Sequence, residues 1–125
     1  MQSYLLHGKS FKSFCLSLFA ANILFISPIA ADESQKGNEI YEINCQGCHM
    51  ADGKGEQSMG FPALIKSPKV SSLTTALDVV ANGFNEMPAF KEYLTDEEIV
   101  KVVNHIRNNF GNRFNDIAIA ADIPR

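Results

Sequence analysis

Cys45-Gln46-Gly47-Cys48-His49 sets two thiols three residues apart, with an imidazole directly after the second. A redox-active dithiol of this spacing belongs in a βαβ context, and the apolar pattern of this chain is helical. Zinc needs a fourth ligand, and the one histidine after the motif is His105, expected on a solvated face of the last helix. A structural disulfide between Cys45 and Cys48 would leave His49 without a task. The remaining chemistry, attachment of a c-type haem at Cys-x-x-Cys-His, employs all three residues. Each thiol adds across one vinyl group of the same porphyrin, and the adjacent imidazole comes to lie beneath the iron as proximal ligand. The expectation is one haem c, bound covalently through Cys45 and Cys48, with His49 on the metal.

The opposite axial position decides what such a group does, because a filled site suits electron transfer and an open one suits gas or peroxide chemistry. The candidates are Met50, Met59 and Met87. Met50 is adjacent to His49 and cannot reach the other face of the ring. Met59 lies in a loop from which it could. Met87 precedes Pro88, has Phe84 and Phe90 nearby to keep water out, and occupies a non-periodic segment free to present its sulfur. Met87 is the expected sixth ligand, with Met59 or no strong ligand as the alternatives.

These residues need elements to position them. Gly37, Ile40, Tyr41, Asn44, Cys45 and Cys48 recur at three-and-four spacing, predicting a helix from Glu33 to Cys48. Residues 50–69 are broken by Gly53, Gly55, Gly60, Pro62 and Pro68 and predict a long wrapping loop. Ser71 or Ser72 caps a short helix that Gly83 ends. Thr95 and Glu98 form a capping box for the last helix, whose buried stripe is Ile99, Val102, Val103, Ile106 and Phe110, ended by Gly111. The acidic run Asp96-Glu97-Glu98 is accounted for by the positive end of that helix dipole. Residues 111–125 read as a tail laid against the domain through Ile117 and Ile119.

At the start of the chain, His7, Lys9 and Lys12 precede the apolar run Phe14 to Ile26, and Pro28-Ile29-Ala30-Ala31 supplies small residues before Asp32. This is the pattern of an export signal over residues 1–31, and it takes Cys15 with it. Thirteen apolar positions interrupted by Ser17 and Asn22 fall short of the roughly 20 needed to span a bilayer, so membrane attachment follows only if the segment is retained. Export agrees with the motif, since covalent haem attachment in bacteria takes place outside the cytoplasm; the expected location is the periplasm. Residues 32–125 then form one domain of 94 residues, small for a self-sufficient core. The covalent group is its staple. The formal charge of −3 falls to −5 without Lys9 and Lys12, which argues against nucleic acid and anionic lipid as partners and favours a complementary, basic protein.

Over residues 32–125 the sequence resembles the class I c-type cytochromes. The carrying residues are Gly37 and Tyr41, the Cys45–His49 motif, Phe61-Pro62-Ala63-Leu64, Met87-Pro88-Ala89-Phe90 and Leu94-Thr95-Asp96-Glu97-Glu98-Ile99. The resemblance implies an all-α fold of three main helices and wrapping loops around one haem. It implies that the first and last helices cross at Gly37, that Tyr41 packs near Ile106, and that the Pro62 carbonyl accepts the Nδ1 proton of His49. It implies one-electron transfer between redox proteins (a dehydrogenase, an oxidase or another cytochrome) and no catalysis of its own. Arg107-Asn108-Asn109-Phe110-Gly111-Asn112 and the tail are similar to the cytochrome modules that accompany periplasmic dehydrogenases. The alternatives are therefore an electron-accepting dehydrogenase subunit or, with Met87 unbound, a ligand sensor or peroxidase-type enzyme.

Overall fold

The computed structural model describes residues 29–125, with side chains from Glu33 onward. The expected signal segment lies outside the described residues as far as Pro28; its last three residues open the first helix. Helix α1 runs Ile29–Asn44, and Cys45 interrupts it by one residue before the single turn α2, Gln46–His49. The break is slight: Cys45 N–H still donates to the Tyr41 carbonyl at 2.9 Å, and His49 N–H to the Cys45 carbonyl at 2.9 Å. The expected single helix to Cys48 is thus two consecutive pieces, ended by Met50 at φ 63° and ψ 162°.

Helix α5, Asp96–Asn108, begins with the expected capping box between Thr95 and Glu98. It crosses α1 at Gly37, where an added Cβ would stand 2.6 Å from the Lys101 carbonyl oxygen and 2.9 Å from His105 Cβ. This approach widens the buried stripe. Ile99, Val102, Val103 and Ile106 are buried as expected, but so are His105, at 9% exposure, and Arg107, at 0%. The solvated position expected for His105 is therefore wrong: at so close a crossing, the flank of α5 facing α1 is covered as well. The His105 ring meets Phe110 edge-on at 5.6 Å and lies 5.7 Å from Tyr41, whose own ring is 4.9 Å from Phe110. Tyr41 thus packs on this aromatic group.

The loop from Met50 is less irregular than expected. It contains a 3₁₀ turn, Gln57–Met59, and ends in the one-turn helix α3, Pro68–Ser71, with proline at its first position. Helix α4, Leu73–Asn82, is capped by the Ser72 hydroxyl and stopped by Gly83 at φ 80°, and buries Ala76, Leu77, Val80 and Ala81. Arg107 ties these layers together, donating to the carbonyls of Val70 (2.6 Å) and Ser71 (3.0 Å) and pairing with Asp116. Asn112 closes the loop onto α5, accepting from Lys66 N–H and donating to the carbonyls of Leu64 and Ile106.

The tail does lie on the domain, but not through Ile117 and Ile119, which are 62% and 59% exposed. An extended segment alternates its side chains, so Ala118 between them faces inward, and the Asn104 amide grips its N–H (2.8 Å) and carbonyl (3.1 Å). The fold is all-α, with three main helices, α1, α4 and α5; among the described residues the only strand-like pairings are the isolated bridges Glu56–Phe61 and Phe84–Met87.

Candidate haem site

Because α2 is one turn long, Cys45, Cys48 and His49 come from a single short rigid piece. Cys45 is buried, Cys48 exposed, and the two form no disulfide. Burial, and secondarily the neighbouring Cys48, push the Cys45 thiol up to about 12. A thiol so held is protonated at neutral pH, which disfavours it as a redox nucleophile or thiolate ligand; an uncharged thioether suits the same place. Among the described residues no three His, Cys, Asp or Glu side chains gather to hold a bare metal ion.

His49 is buried at 8% exposure, and its Nδ1 lies 2.9 Å from the Pro62 carbonyl. A carbonyl only accepts, so Nδ1 carries the proton and Nε2 keeps its lone pair, the nitrogen an iron takes. The backbone around His49 is fastened too. Its carbonyl accepts from Gly55 N–H at 3.0 Å, and the Tyr41 hydroxyl donates to the Met50 carbonyl at 2.7 Å, holding the left-handed residue that follows.

Met87 ends a tight turn in which Phe84 and Met87 exchange N–H···O bonds of 3.1 and 3.0 Å, with Asn85 at φ 52°. It is half-buried against the core cluster that contains Cys45, as are Leu64, Leu73 and Leu94. Gly83 lets the chain pass close behind it, since a Cβ there would lie 2.7 Å from the Met87 carbonyl. Phe90 is buried, but Phe84 is 47% exposed with the Lys69 ammonium 4.0 Å from its ring centre, so the pair of shielding rings expected around Met87 reduces to one. Met59 is 67% exposed. The residues present fit a haem: two thiols and an oriented imidazole on one turn, and a thioether packed against the apolar cluster that contains Cys45.

The family model described as subunit III of the cbb3-type cytochrome c oxidase matches residues 32–106, more than half of the chain. The chain belongs to the cytochrome c family. It is 36% identical, over 74% of its length, to the cytochrome c subunit of a quinone alcohol dehydrogenase from Gluconobacter oxydans, and 34% identical, over 66%, to cytochrome c6 from Gracilaria tenuistipitata. It spans 22% of the first relative's length and 78% of the second's. Among solved structures, diatom cytochrome c6 from Phaeodactylum tricornutum superposes with a TM-score of 0.51 at 30% identity, over 58% of this chain and 88% of that one. The c-type cytochrome XoxG from Methylobacterium extorquens gives 0.50 at 28%, over 60% and 48%. The class I cytochrome fold is thus shared, and membership implies a covalent haem c at the Cys45/Cys48 motif.

Three residues that hold the fold around the site escaped sequence reasoning. Arg107 carried a signal, because it stands four residues after Val103 and eight after Ile99, on the buried stripe. His105 carried a weaker one, three residues after Val102 on the flank facing Gly37. Gly55, read only as loop punctuation, owes its place to a non-local contact that no spacing encodes.

Proposed function

We propose that this cytochrome is a periplasmic one-electron carrier with a single haem c, held through Cys45 and Cys48 and ligated axially by His49 and Met87. The observation that carries the reading is the 2.9 Å contact from His49 Nδ1 to the Pro62 carbonyl beside the two cysteines, which frees Nε2 for iron. When bound, the haem supplies a ferric/ferrous couple that moves single electrons without proton chemistry. The residues around it do the rest. Cys45 and Cys48 fix the ring to α2, His49 donates from a direction set by Pro62, and the Met87 thioether favours the ferrous state. Leu64, Leu73 and Phe90 make the surroundings apolar.

A second reading, the electron-accepting subunit of a dehydrogenase complex, draws on relatives named as cytochrome subunits of alcohol, fructose and gluconate dehydrogenases. Co-purification with a larger catalytic chain separates it from a free carrier.

The test is spectroscopic. Purified protein should show a low-spin spectrum in both oxidation states, one haem per chain and a near-infrared thioether-to-ferric band. Met87→Ala should lose that band and lower the potential, whereas Met59→Leu should keep both. A wild-type protein without the band that binds carbon monoxide freely would move the assignment to a sensor or peroxidase-type enzyme. Its N-terminal residue, determined after periplasmic fractionation, tests the cleavage after Ala31.

A further inference from the structure

Gly55 touches both ends of His49. Its N–H donates to the His49 carbonyl at 3.0 Å, and its α-carbon lies against the segment whose Pro62 carbonyl takes the imidazole Nδ1. A Cβ at position 55 would stand 2.4 Å from the Phe61 carbonyl oxygen and 2.5 Å from that of Pro62. Both are backbone atoms, and neither can withdraw without disturbing the bonds that hold its segment. On one side Glu56 and Phe61 exchange N–H···O bonds of 2.9 and 3.0 Å; on the other, Leu64 N–H donates to the Gly53 carbonyl at 2.8 Å. The chain from 61 to 64 is therefore clamped to the chain from 53 to 56 on both sides of the Gly55–Pro62 contact.

We propose that Gly55 is a positioning residue for the proximal ligand: having no side chain, it lets the Pro62 carbonyl come close enough to hold the His49 Nδ1 proton, and so sets how strongly His49 donates to iron. This rests on His49 being that ligand. Any side chain at 55 pushes the Pro62 carbonyl away, weakens the Nδ1 bond and makes the imidazole a poorer donor, which disfavours the ferric state. The potential therefore rises.

Gly60 supplies the control. It lies in the same loop at φ 82°, but its added Cβ meets nothing within 4 Å, whereas Gly55 is at φ 65° with the backbone in the way. Gly60→Ala carries the left-handed strain without the collision. The holoprotein is compared as wild type, Gly55→Ala and Gly60→Ala by redox titration, and the His49 Nδ1 proton is followed by NMR exchange in the ferrous state. A protected Nδ1 proton in wild type and Gly60→Ala, with faster exchange and an upward shift in potential in Gly55→Ala alone, is the expected result. Equal potentials in the two variants, or a downward shift at position 55, would overturn the proposal, as would an unprotected proton in wild type. If Gly55→Ala yields no holoprotein, Gly55→Asn takes its place, since asparagine tolerates the left-handed backbone. Loss of holoprotein in both, with Gly60→Ala intact, assigns Gly55 a structural role and sinks the positioning one. Failure of the ligand assignment itself is seen separately, as a wild-type spectrum lacking His/Met low-spin character.

Discussion

Among single residues, His105 carries the clearest dependence on solution conditions. Burial between Tyr41, Phe110 and the α1 backbone lowers its affinity for a proton; Glu42 on α1 opposes this more weakly. Among the described residues its Nε2 is buried without a protein partner, and its Nδ1 lies 3.2 Å from the Asn109 amide nitrogen, which can only donate. Nδ1 is thus the acceptor and Nε2 carries the proton. In the unfolded chain the imidazole titrates near the ordinary value of about 6.5; in the fold it titrates lower. The unfolded state therefore binds more protons in that window, so the stabilisation is complete above the unfolded value and is lost as pH falls through the folded one. Chemical unfolding should show stability decreasing from pH 7 toward pH 5, with His105→Gln flattening that slope. Parallel slopes in the two proteins would show that the burial does not matter energetically. The carboxylates of Asp52, Glu56 and Glu98, each held low by hydrogen bonds to neighbours, act in a more acidic window. His49 was legible because its neighbours in sequence are its chemical partners; His105 was not, because what covers it lies on another helix.

The helices were legible for the same reason of locality. The Ser72 and Thr95 caps, the Gly83 stop and the stripe of α5 are written within a few residues of where they act. The ends of elements were less so: Cys45 divides the first helix, and α5 stops at Asn108 because Asn109 turns extended at φ −122° and ψ −175°, after which Phe110 at φ 56° and Gly111 at φ 80° turn the chain back. What one strand of sequence could not give was the register of α1 on α5, although Gly37 marks the crossing. Replacing it tests that contact. Gly37→Ala gains about 1 kcal/mol of helix propensity, but its methyl meets a backbone oxygen at 2.6 Å, and separating two packed helices costs roughly 1–3 kcal/mol or more. The collision should win, lowering the midpoint of thermal unfolding by several degrees. Gly47→Ala, in α2 with nothing within 4 Å, provides the comparison and should be neutral or slightly stabilising. A Gly37→Ala protein as stable as Gly47→Ala would mean that the helices do not approach this closely in solution.

For the whole molecule the informative quantity is charge and its distribution. The formal charge is −3 for the full sequence, and more negative if the N-terminal lysines are removed on export. Carboxylates are concentrated on α1, with Glu33, Glu39 and Glu42, and at the head of α5, with Asp96, Glu97 and Glu98. Each of these helices also carries a lysine, Lys36 on α1 and Lys101 on α5, while Lys66 lies in the loop, Lys69 on α3 and Lys91 in the 3₁₀ turn Phe90–Glu92, with Lys69 over Phe84 next to the Met87 turn. A free carrier of the proposed kind meets its partners by diffusion, and complementary fields raise the encounter rate by about 10-fold or more at low salt. Screening removes that gain, because the Debye length shrinks from about 30 Å at 0.01 M to about 8 Å at 0.15 M. Stopped-flow reduction by a basic redox protein should therefore be faster at low ionic strength and slow steadily as salt is added; with an acidic redox protein the dependence should reverse. If instead the acidic partner is preferred at low salt, Lys69 beside the Met87 turn governs docking despite the net charge, and the natural partner is to be sought among acidic proteins.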